Sequence, residues 1–248
     1  MRNKRAAIVL AAGKGKRMKS DLPKVLHRIH GRPLITILLD TLVRMKFDRI
    51  VVVIGHKGEL VKEALASYPV SFVWQREQLG TGHAVKMARE ELADFDGTTL
   101  VVAGDVPFLS EESIRLLFDK HISTNSAATC LSAVFGDPTG YGRIVRDGQS
   151  DRLKQIIEHK DATEEVRKIR EVNSGTFCFD NQLLLRSLDK IGTDNAQGEY
   201  YLTDAIKILY DKGLPVSVAV ARNPEEVKGV NSVEQLEHLE RVFGDSGR

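Results

Sequence analysis

The 248-residue sequence has little of several features that mark particular classes of protein. It holds two cysteines and one tryptophan, and aromatic residues make up 6% of the chain. Two cysteines exclude a disulfide-rich scaffold, and the apolar surroundings of Cys130 and Cys178 predict buried thiols. Lys and Arg number 36 against 34 Asp and Glu, and this balance argues against a general nucleic-acid- or membrane-binding surface.

Long hydrophobic runs are also missing. The basic residues 1–5 look like the start of a signal peptide, but only residues 6–12 are apolar before a Gly- and Lys-rich stretch begins. That run is too short for a signal-peptide core or a membrane span. We therefore expect a cytoplasmic protein. Its length is sufficient for one large α/β domain.

The first half of the sequence alternates short apolar runs with amphipathic stretches. Apolar runs predict strands at residues 6–10, 49–54, 70–74 and 99–102. Apolar residues at helical spacing predict helices at residues 33–45, 59–67 and 82–92. Continuous apolar strands that alternate with amphipathic helices are typical of a mostly parallel central sheet with helices on both faces. We therefore expect an α/β fold.

The pattern changes after about residue 126. Strands are predicted at residues 129–135, 143–145, 153–158, 172–179 and 216–221. Helices are predicted at residues 182–188, 202–212 and 234–242. No repeat, low-complexity stretch or linker separates the two halves. We expect a smaller mixed β insertion built onto the first half, and a single domain over residues 1–248.

A glycine-rich loop with basic residues follows the first predicted strand. In open α/β sheets ligands bind at the carboxyl ends of strands, and small residues let backbone N–H groups approach a phosphate. The loop lacks the Gly-Lys-Ser/Thr ending of a P-loop, and Met18 stands where a dinucleotide fingerprint needs a third glycine. The loop predicts phosphate binding, with a solvated glycine turn as the alternative.

Two charged residues stand near predicted strand ends. Lys24 follows Pro23 and can act as a fixed point charge for a phosphate, although a lone lysine is usually a surface residue. Asp105 follows a buried strand, where a carboxylate is well placed to hold Mg²⁺ together with phosphate oxygens. The alternative for Asp105 is structural: it could cap the helix after Ser110 or shape the turn at Pro107.

Several segments together have a more specific pattern. They are residues 10–18, 21–26, 75–84, 138–144, 157–162, 172–175, 195–204 and 229–231. With these segments the chain resembles the uridylyltransferase domain of the bifunctional N-acetylglucosamine-1-phosphate uridylyltransferase/glucosamine-1-phosphate acetyltransferase family. The opening loop marks the wider nucleotidyltransferase superfamily. The stretches Gln-Leu-Gly-Thr-Gly-His-Ala, Glu-His-Lys-Asp-Ala and Gly-Glu-Tyr-Tyr are specific to this branch.

The resemblance implies a Rossmann-like nucleotidyltransferase fold and a cytoplasmic enzyme of cell-wall precursor synthesis. The implied reaction transfers UMP from UTP to N-acetylglucosamine-1-phosphate and yields UDP-N-acetylglucosamine and pyrophosphate. No nucleophilic side chain is needed, because an oxygen of the sugar phosphate attacks the α-phosphorus in line. Residues 1–125 are expected to bind the nucleotide, residues 126–231 the sugar phosphate, and residues 232–248 to form a C-terminal helix.

The resemblance also implies the site residues. Those implied to line the substrates through the strand ends are Leu10, Ala11, Ala12, Gly13, Ala103 and Gly104. Those implied to hold uracil are Gln75, Gly80 and Thr81. Those implied to position the amino sugar are Gly142, Glu158 and Asn173. The implied catalytic residues are Arg17, Lys24 and Asp105, and the implied Mg²⁺ ligands are Asp105 and Asn231.

Each of these assignments has a structural alternative. Gln75 and Glu158 could be surface polar residues, Asn173 and Asn231 turn formers, and Gly142 a hairpin glycine. We expect His83 to have a structural role at a helix start rather than to act as a base. Tyr200 and Tyr201 are expected to be core aromatics and are left out of the site.

The sequence also departs from the family pattern. Ala103 stands where many relatives have a tyrosine, so a side-chain contact there is lost whereas a backbone contact survives. The bifunctional enzymes continue into a left-handed β-helix that carries the acetyltransferase and forms trimers. This sequence ends at Arg248, from which we expect no acetyl transfer and a monomer or weak oligomer.

Three rival functions remain open at this stage. The first is the same chemistry with another sugar phosphate or nucleotide. The second is a regulatory protein that binds nucleotide sugars without catalysis. The third, an NAD-dependent oxidoreductase, is disfavoured by the missing third glycine of the fingerprint.

Overall fold

The computed structural model describes residues 4–148, 150 and 152–244. Its strands are β1 (Arg5–Ala11), β2 (Arg28–Ile29), β3 (Arg32–Pro33), β4 (Arg49–Ile54), β5 (Ser71–Trp74), β6 (Thr98–Ala103), β7 (Ala128–Val134), β8 (Arg143–Arg146), β9 (Leu153–Ile157), β10 (Glu171–Asp180) and β11 (Val216–Val220). Its α-helices are α1 (Leu34–Arg44), α2 (Gly58–Ala64), α3 (Thr81–Met87), α4 (Glu111–Ser123), α5 (Glu164–Arg167), α6 (Asn181–Leu188), α7 (Asp204–Asp211) and α8 (Val233–Phe243).

Strand β1 lies inside the sheet, between β4 and β6, and runs parallel to both. Ile8 and Val9 point to opposite faces and are both fully buried, each in a different apolar cluster. A strand buried on both faces needs apolar side chains at successive positions, which explains the unbroken apolar run in the sequence. The strands predicted at residues 6–10 and 49–54 are confirmed.

The second half of the chain extends the same sheet. Strand β10 inserts between β6 and β7 and is antiparallel to both, and β11 pairs with β7 in parallel. The sheet order is β11-β7-β10-β6-β1-β4-β5, and the β8–β9 hairpin attaches to β10 through the pair Val172 and Arg143. The expected fold class is confirmed: a Rossmann-like sheet with mixed strands contributed by the second half.

Helix α1 follows the predicted pattern. Its apolar residues recur three and four positions apart, and Leu34, Leu38 and Leu42 are fully buried. Other helix boundaries differ from the prediction. Helix α3 ends at Met87, and a separate 3-10 turn covers Glu90–Leu92. The short strands β2 and β3 and the one-turn helix α5 were not predicted.

Helix α4 begins after its own cap. The Ser110 hydroxyl accepts a hydrogen bond from the backbone N–H of Ser113 at 3.1 Å, the usual arrangement of a serine N-cap. Asp105 is therefore not the cap of this helix, so the capping alternative is wrong, whereas its role in the turn at Pro107 stays a prediction. Glu111 and Glu112 occupy the first turn, where their negative charges interact favourably with the positive end of the helix dipole.

The last described helix, α8, packs beside the first loops of the chain. Leu239 from α8 shares a small apolar cluster with Met18, Ile29 and Leu34. Val230, just before α8, belongs to the same cluster. This packing returns the C-terminal segment to the end of the sheet where β1 and β6 finish, and it brings the residue after Val230 to that edge.

The two cysteines are buried in the sheet. Cys130 and Cys178 are free, as predicted, and burial raises the pKa of both thiols well above the ordinary value. Among residues 4–148, 150 and 152–244, no helix is both long and apolar enough to cross a membrane.

Candidate active site

The parallel strands β1, β4, β5 and β6 all end at one edge of the sheet. The backbone N–H of Gly104, after β6, donates to the carbonyl of Leu10 at 2.9 Å, and that of Gln75, after β5, donates to Ile54 at 2.8 Å. These contacts draw the loops after the strands around a cavity of about 270 Å³. The predicted site residues that line it are Leu10, Ala11, Ala12, Gly13, Lys24, Gln75, Gly80, Thr81, Ala103 and Asp105.

The side chains of Lys24, Asp105 and Asn231 contact one another at this edge of the sheet. The Lys24 ammonium donates to the carboxylate of Asp105 and to the side-chain oxygen of Asn231, the latter at 2.9 Å. Asp105 is 7% exposed, so its carboxylate is largely removed from water and Lys24 is its ion-pair partner. The predicted phosphate-binding lysine and both predicted metal ligands are thus within reach of one another.

The orientation of Asn231 follows from its other contacts. Its side-chain N–H donates to the carbonyl of Gly229 at 3.3 Å, which leaves the side-chain oxygen to face Lys24. Its backbone N–H donates to Gln235 in α8 at 2.7 Å. The backbone N–H of Val230 donates to the carbonyl of Asp105 at 2.9 Å. Asn231 is therefore held by contacts with α8 and with the end of β6 rather than being a free turn residue.

A second group surrounds Gln75. This side chain is 3% exposed, and its amide nitrogen donates to the carbonyl of Gly80 at 3.0 Å. The same nitrogen lies 3.1 Å from Nδ1 of His83, in the first turn of α3. Gln75 is buried, so the surface alternative for this residue is wrong. His83 lies at a helix start, as expected.

Residues 199–202 support the loop that carries Gly80. The backbone N–H of Gly82 donates to the carbonyl of Tyr200 at 2.7 Å, and Thr81 Oγ1 accepts from the backbone N–H of Leu202 at 3.0 Å. Gly80 has a φ of 112°, and a Cβ there would lie 2.5 Å from the Tyr200 carbonyl oxygen. Only glycine fits this combination of backbone angle and close contact.

A third group lies on the β8–β9 hairpin and β10. The backbone N–H of Asn173 donates to the carbonyl of Gly142 at 2.9 Å. A Cβ on Gly142 would lie 3.2 Å from the Glu158 carboxylate, so the three predicted sugar-binding residues are neighbours. Glu158 accepts a hydrogen bond from Thr203 at 3.2 Å. Glu158 lines a smaller cavity of about 190 Å³ rather than the one beside β1.

The environment of Glu158 changes its acidity. Burial raises the pKa of Glu158 above its ordinary value, the Thr203 hydroxyl opposes this by favouring the carboxylate, and the charges of Asp161 and Asp204 raise it further. Tyr141 precedes Gly142 in the sequence. Burial raises the pKa of its phenol, and the charge of nearby Asp105 raises it further.

Arg17 is the predicted residue that the structure does not bring into contact with these groups. It is exposed on the 3-10 turn Lys16–Met18, and among the described residues no ion pair joins it to Asp105. Of the described residues, no group of three or more His, Cys, Asp or Glu side chains lies close enough to hold a metal ion by itself.

The structure also adds residues that sequence reasoning missed. Gln78 and Glu199 line the first cavity, and Thr203 holds Glu158. The Gly-Glu-Tyr-Tyr stretch that contains Glu199 is a recognisable pattern in the sequence, but its contact with the Gly80 loop depends on the fold. No local sequence signal identifies Thr203.

Comparisons with known proteins point in one direction. Residues 7–173 match the family described as the MobA-like NTP transferase domain. The chain is 50% identical over 239 residues to the bifunctional protein GlmU of Clostridium beijerinckii. The alignment covers 96% of this chain and 52% of that protein. The chain is 49% identical over 237 residues to GlmU of Streptococcus uberis, covering 96% of this chain and 51% of that protein. The chain thus spans about half the length of the curated relatives it matches.

A solved structure shows the same fold at low sequence identity. The structure of UDP-glucose pyrophosphorylase complexed with UDP-glucose has a TM-score of 0.77 and 17% identity to this chain. The alignment covers 98% of this chain and all of the other. The likeness extends over the first and second halves of the sheet alike.

The contact between Gly80 and Tyr200 leads to a stability prediction. We expect Gly80→Ala to lower the free energy of unfolding by about 2 kcal/mol, because the methyl group meets a backbone carbonyl and the φ angle is unfavourable for alanine. Urea unfolding of the variant and the parent protein measures the change. Gly136→Ala is the matched control, since a Cβ there meets nothing within 4 Å. Equal unfolding midpoints for the two variants would contradict the close contact.

Proposed function

Because the chain belongs to the family of MobA-like NTP transferase domains, we propose that it transfers UMP from UTP to N-acetylglucosamine-1-phosphate. The products are UDP-N-acetylglucosamine and pyrophosphate. The observation that carries the proposal is the contact of Lys24 with Asp105 and Asn231 beside a cavity at the strand ends. The chain is similar to about half of the length of each GlmU protein, and this similarity supports the choice of substrates.

The reaction that we propose is a displacement at the α-phosphorus of UTP. An oxygen of the sugar phosphate forms a new O–P bond as the bond to the departing pyrophosphate breaks, and no covalent enzyme intermediate is required. Both substrates are polyanions, so the protein must hold them together and balance their charge. Lys24 supplies a fixed positive charge at the strand ends, and the small residues 11–13 allow the nucleotide to approach the backbone.

The residues present fit a bound Mg²⁺. One carboxylate and one amide oxygen, from Asp105 and Asn231, already converge on a single cation, the Lys24 ammonium. Mg²⁺ prefers oxygen ligands and is often held by one or two carboxylates plus substrate phosphates, so a larger cluster of acidic residues is not required. The bound ion would polarise phosphate oxygens and neutralise their charge. Lys24 has a flexible stem and would then be free to contact phosphate oxygens.

The remaining residues divide between base and sugar. We assign uracil to Gln75, Gly80 and Thr81, because a side-chain amide and backbone groups can match the alternating acceptors and donor of its edge. We assign the amino sugar to Glu158, Asn173 and Gly142, whose carboxylate, amide and backbone groups can pair with hydroxyl and acetamido groups.

Two assignments concern the wider setting of the reaction. We keep Arg17 as a proposed phosphate contact, which requires its exposed side chain to turn toward the bound substrates. We also propose that residues 1–125 hold the nucleotide, that residues 126–231 hold the sugar phosphate, and that the enzyme acts in the cytoplasm on these two small molecules.

A substrate panel tests the proposed function directly. The purified protein is supplied with Mg²⁺ and each pairing of UTP, CTP, GTP or dTTP with several sugar-1-phosphates, and released pyrophosphate is measured. We expect UTP with N-acetylglucosamine-1-phosphate to give the highest kcat/KM, by at least tenfold. Another pairing at the top of the panel would keep the chemistry and overturn the substrates. No turnover with any pairing would overturn the enzymatic proposal itself.

Asp105 is the residue whose removal should be most damaging. We expect Asp105→Ala to lower kcat by a factor of about 100 or more while the protein remains folded, because the metal loses its carboxylate ligand. Turnover in Mg²⁺ and a thermal melt are measured on the same sample. Asp119→Ala, at an exposed position of α4, is the control. Near-normal turnover of folded Asp105→Ala would rule out the metal assignment.

Replacing the Glu158 carboxylate should stabilise the folded protein but weaken the binding of the sugar phosphate. The folded-state pKa of Glu158 is raised, so the folded protein binds the proton more tightly than the unfolded chain does, and the ionised carboxylate destabilises the fold at neutral pH. Glu158→Gln should therefore raise Tm at pH 8, with a smaller gain at pH 5. The same variant should raise the KM for the sugar phosphate, because an amide is a weaker acceptor for hydroxyl groups.

Thermal melts at the two pH values and KM measurements at pH 8 check both halves of this prediction. Glu63→Gln, at an exposed position of α2, is the control and should change neither quantity. A Glu158→Gln protein that is less stable than the parent at pH 8 would contradict the first half of the prediction, and an unchanged KM would contradict the contact with the sugar.

A further inference from the structure

The side-chain amide of Gln75 has one orientation that makes a hydrogen bond with Gly80. Its first contact is the carbonyl oxygen of Gly80, at 3.0 Å, which has no proton to give. The amide atom that faces this carbonyl must therefore be the nitrogen, because two oxygens at that distance would repel each other. The amide oxygen then points to the other side, and no group in the described part of the chain donates to it.

His83 adds a second constraint on the same nitrogen. Its Nδ1 lies 3.1 Å from the Gln75 amide nitrogen, which already acts as a donor. Two donors cannot share a hydrogen bond, so Nδ1 must carry a lone pair and the ring proton must be on Nε2. Both N–H groups of the Gln75 amide are then used by Gly80 and His83. A flipped amide would lose its bond to the Gly80 carbonyl, and it could bond to His83 only if the ring proton moved from Nε2 to Nδ1.

His83 does not belong to the cavity that contains Gln75. The imidazole instead lines a neighbouring cavity of about 450 Å³, together with Lys86 and Tyr200. Its ring is tilted against that of Tyr200, with the centroids 6.3 Å apart. Among the described residues, His83 reaches toward the cavity beside β1 through its contact with the Gln75 amide.

We propose that His83 is a positioning residue that sets the base preference of the enzyme by fixing the Gln75 amide with its oxygen toward the nucleotide. This inference rests on the proposed function, which places uracil at Gln75. It assigns His83 neither a catalytic role nor a contact with the substrate. It gives the imidazole a specific task that its position at a helix start alone does not imply.

The fixed amide oxygen distinguishes the two pyrimidines found in ribonucleotides. Uracil carries a proton on N3 and can donate it to the Gln75 oxygen, whereas the N3 of cytosine is an acceptor and would face that oxygen with a lone pair. An amide that is free to flip could instead offer its NH₂ group to cytosine. Since a buried polar mismatch is costly, blocking the flip contributes directly to discrimination against CTP.

Two substitutions at residue 83 separate the hydrogen bond from packing. His83→Phe keeps a ring against Tyr200 but has no acceptor, and His83→Asn loses the ring but can place its side-chain oxygen where Nδ1 was. We expect His83→Phe to lower the ratio of kcat/KM for UTP over CTP by about five- to tenfold, mostly through a higher KM for UTP. His83→Asn should stay within about twofold of the parent ratio.

The outcomes of this pair are distinct. A His83→Phe protein that keeps the parent ratio, or a His83→Asn protein that falls as low as His83→Phe, would overturn the role of His83. A parent protein that shows no preference for UTP would instead overturn the proposed function. Thermal melts of both variants show whether each remains folded under the assay conditions.

A double-mutant cycle with Gln75→Ala gives a second measurement that does not depend on the Asn substitution. If His83 acts through the Gln75 amide, His83→Phe should not lower the UTP-to-CTP ratio any further once that amide is removed. An equal effect of His83→Phe with and without the Gln75 side chain would mean that the imidazole acts through the backbone or general packing, and the inference would fail.

Discussion

The contact of the Lys24 ammonium with Asp105 and Asn231 holds together the part of the site that we propose binds phosphate. A buried carboxylate without a partner would cost several kcal/mol, so the ion pair is needed for Asp105 to stay under the strand ends. In the sequence, Asp105 lies 81 positions after Lys24, and Asn231 lies 207 positions after it. One cation therefore ties the first loop, the end of β6 and the segment before α8 into a single site, and polyanionic substrates would meet charges that are already arranged.

A second constraint joins the regions that we propose bind the base and the sugar. Thr81, beside Gly80, accepts a hydrogen bond from the backbone of Leu202, and the next residue, Thr203, donates its hydroxyl to Glu158. Two adjacent residues just before α7 thus contact one residue proposed to bind the base and one residue proposed to bind the sugar. The hydrogen bond between Leu202 and Thr81, at 3.0 Å, joins the two halves of the chain in addition to the shared sheet.

Local patterns predicted the parts of the fold that depend on local interactions. The strands at residues 6–10 and 49–54 and the helix at 33–45 follow from runs and periodicities within a few turns of chain, and the structure confirms them. The antiparallel insertion of β10 between β6 and β7 depends on pairing between distant segments, which no local pattern encodes. The same limit applies to the site: Lys24 and Asp105 stand out at predicted strand ends, whereas Asn231 was identified by resemblance and Thr203 was not identified.

His83 shows why a structural role and a functional role need not be alternatives. The sequence favours a structural residue at a helix start, and the structure places it there, but the bond that it makes ends on the one amide proposed to contact the base. An amide is ambiguous as a recognition group because its donor and acceptor ends have nearly the same shape. It becomes selective only when something else blocks one orientation. In the proposed arrangement the carbonyl of Gly80 and the Nδ1 lone pair of His83 favour one orientation, so selectivity would be a property of the group around Gln75 rather than of Gln75 alone.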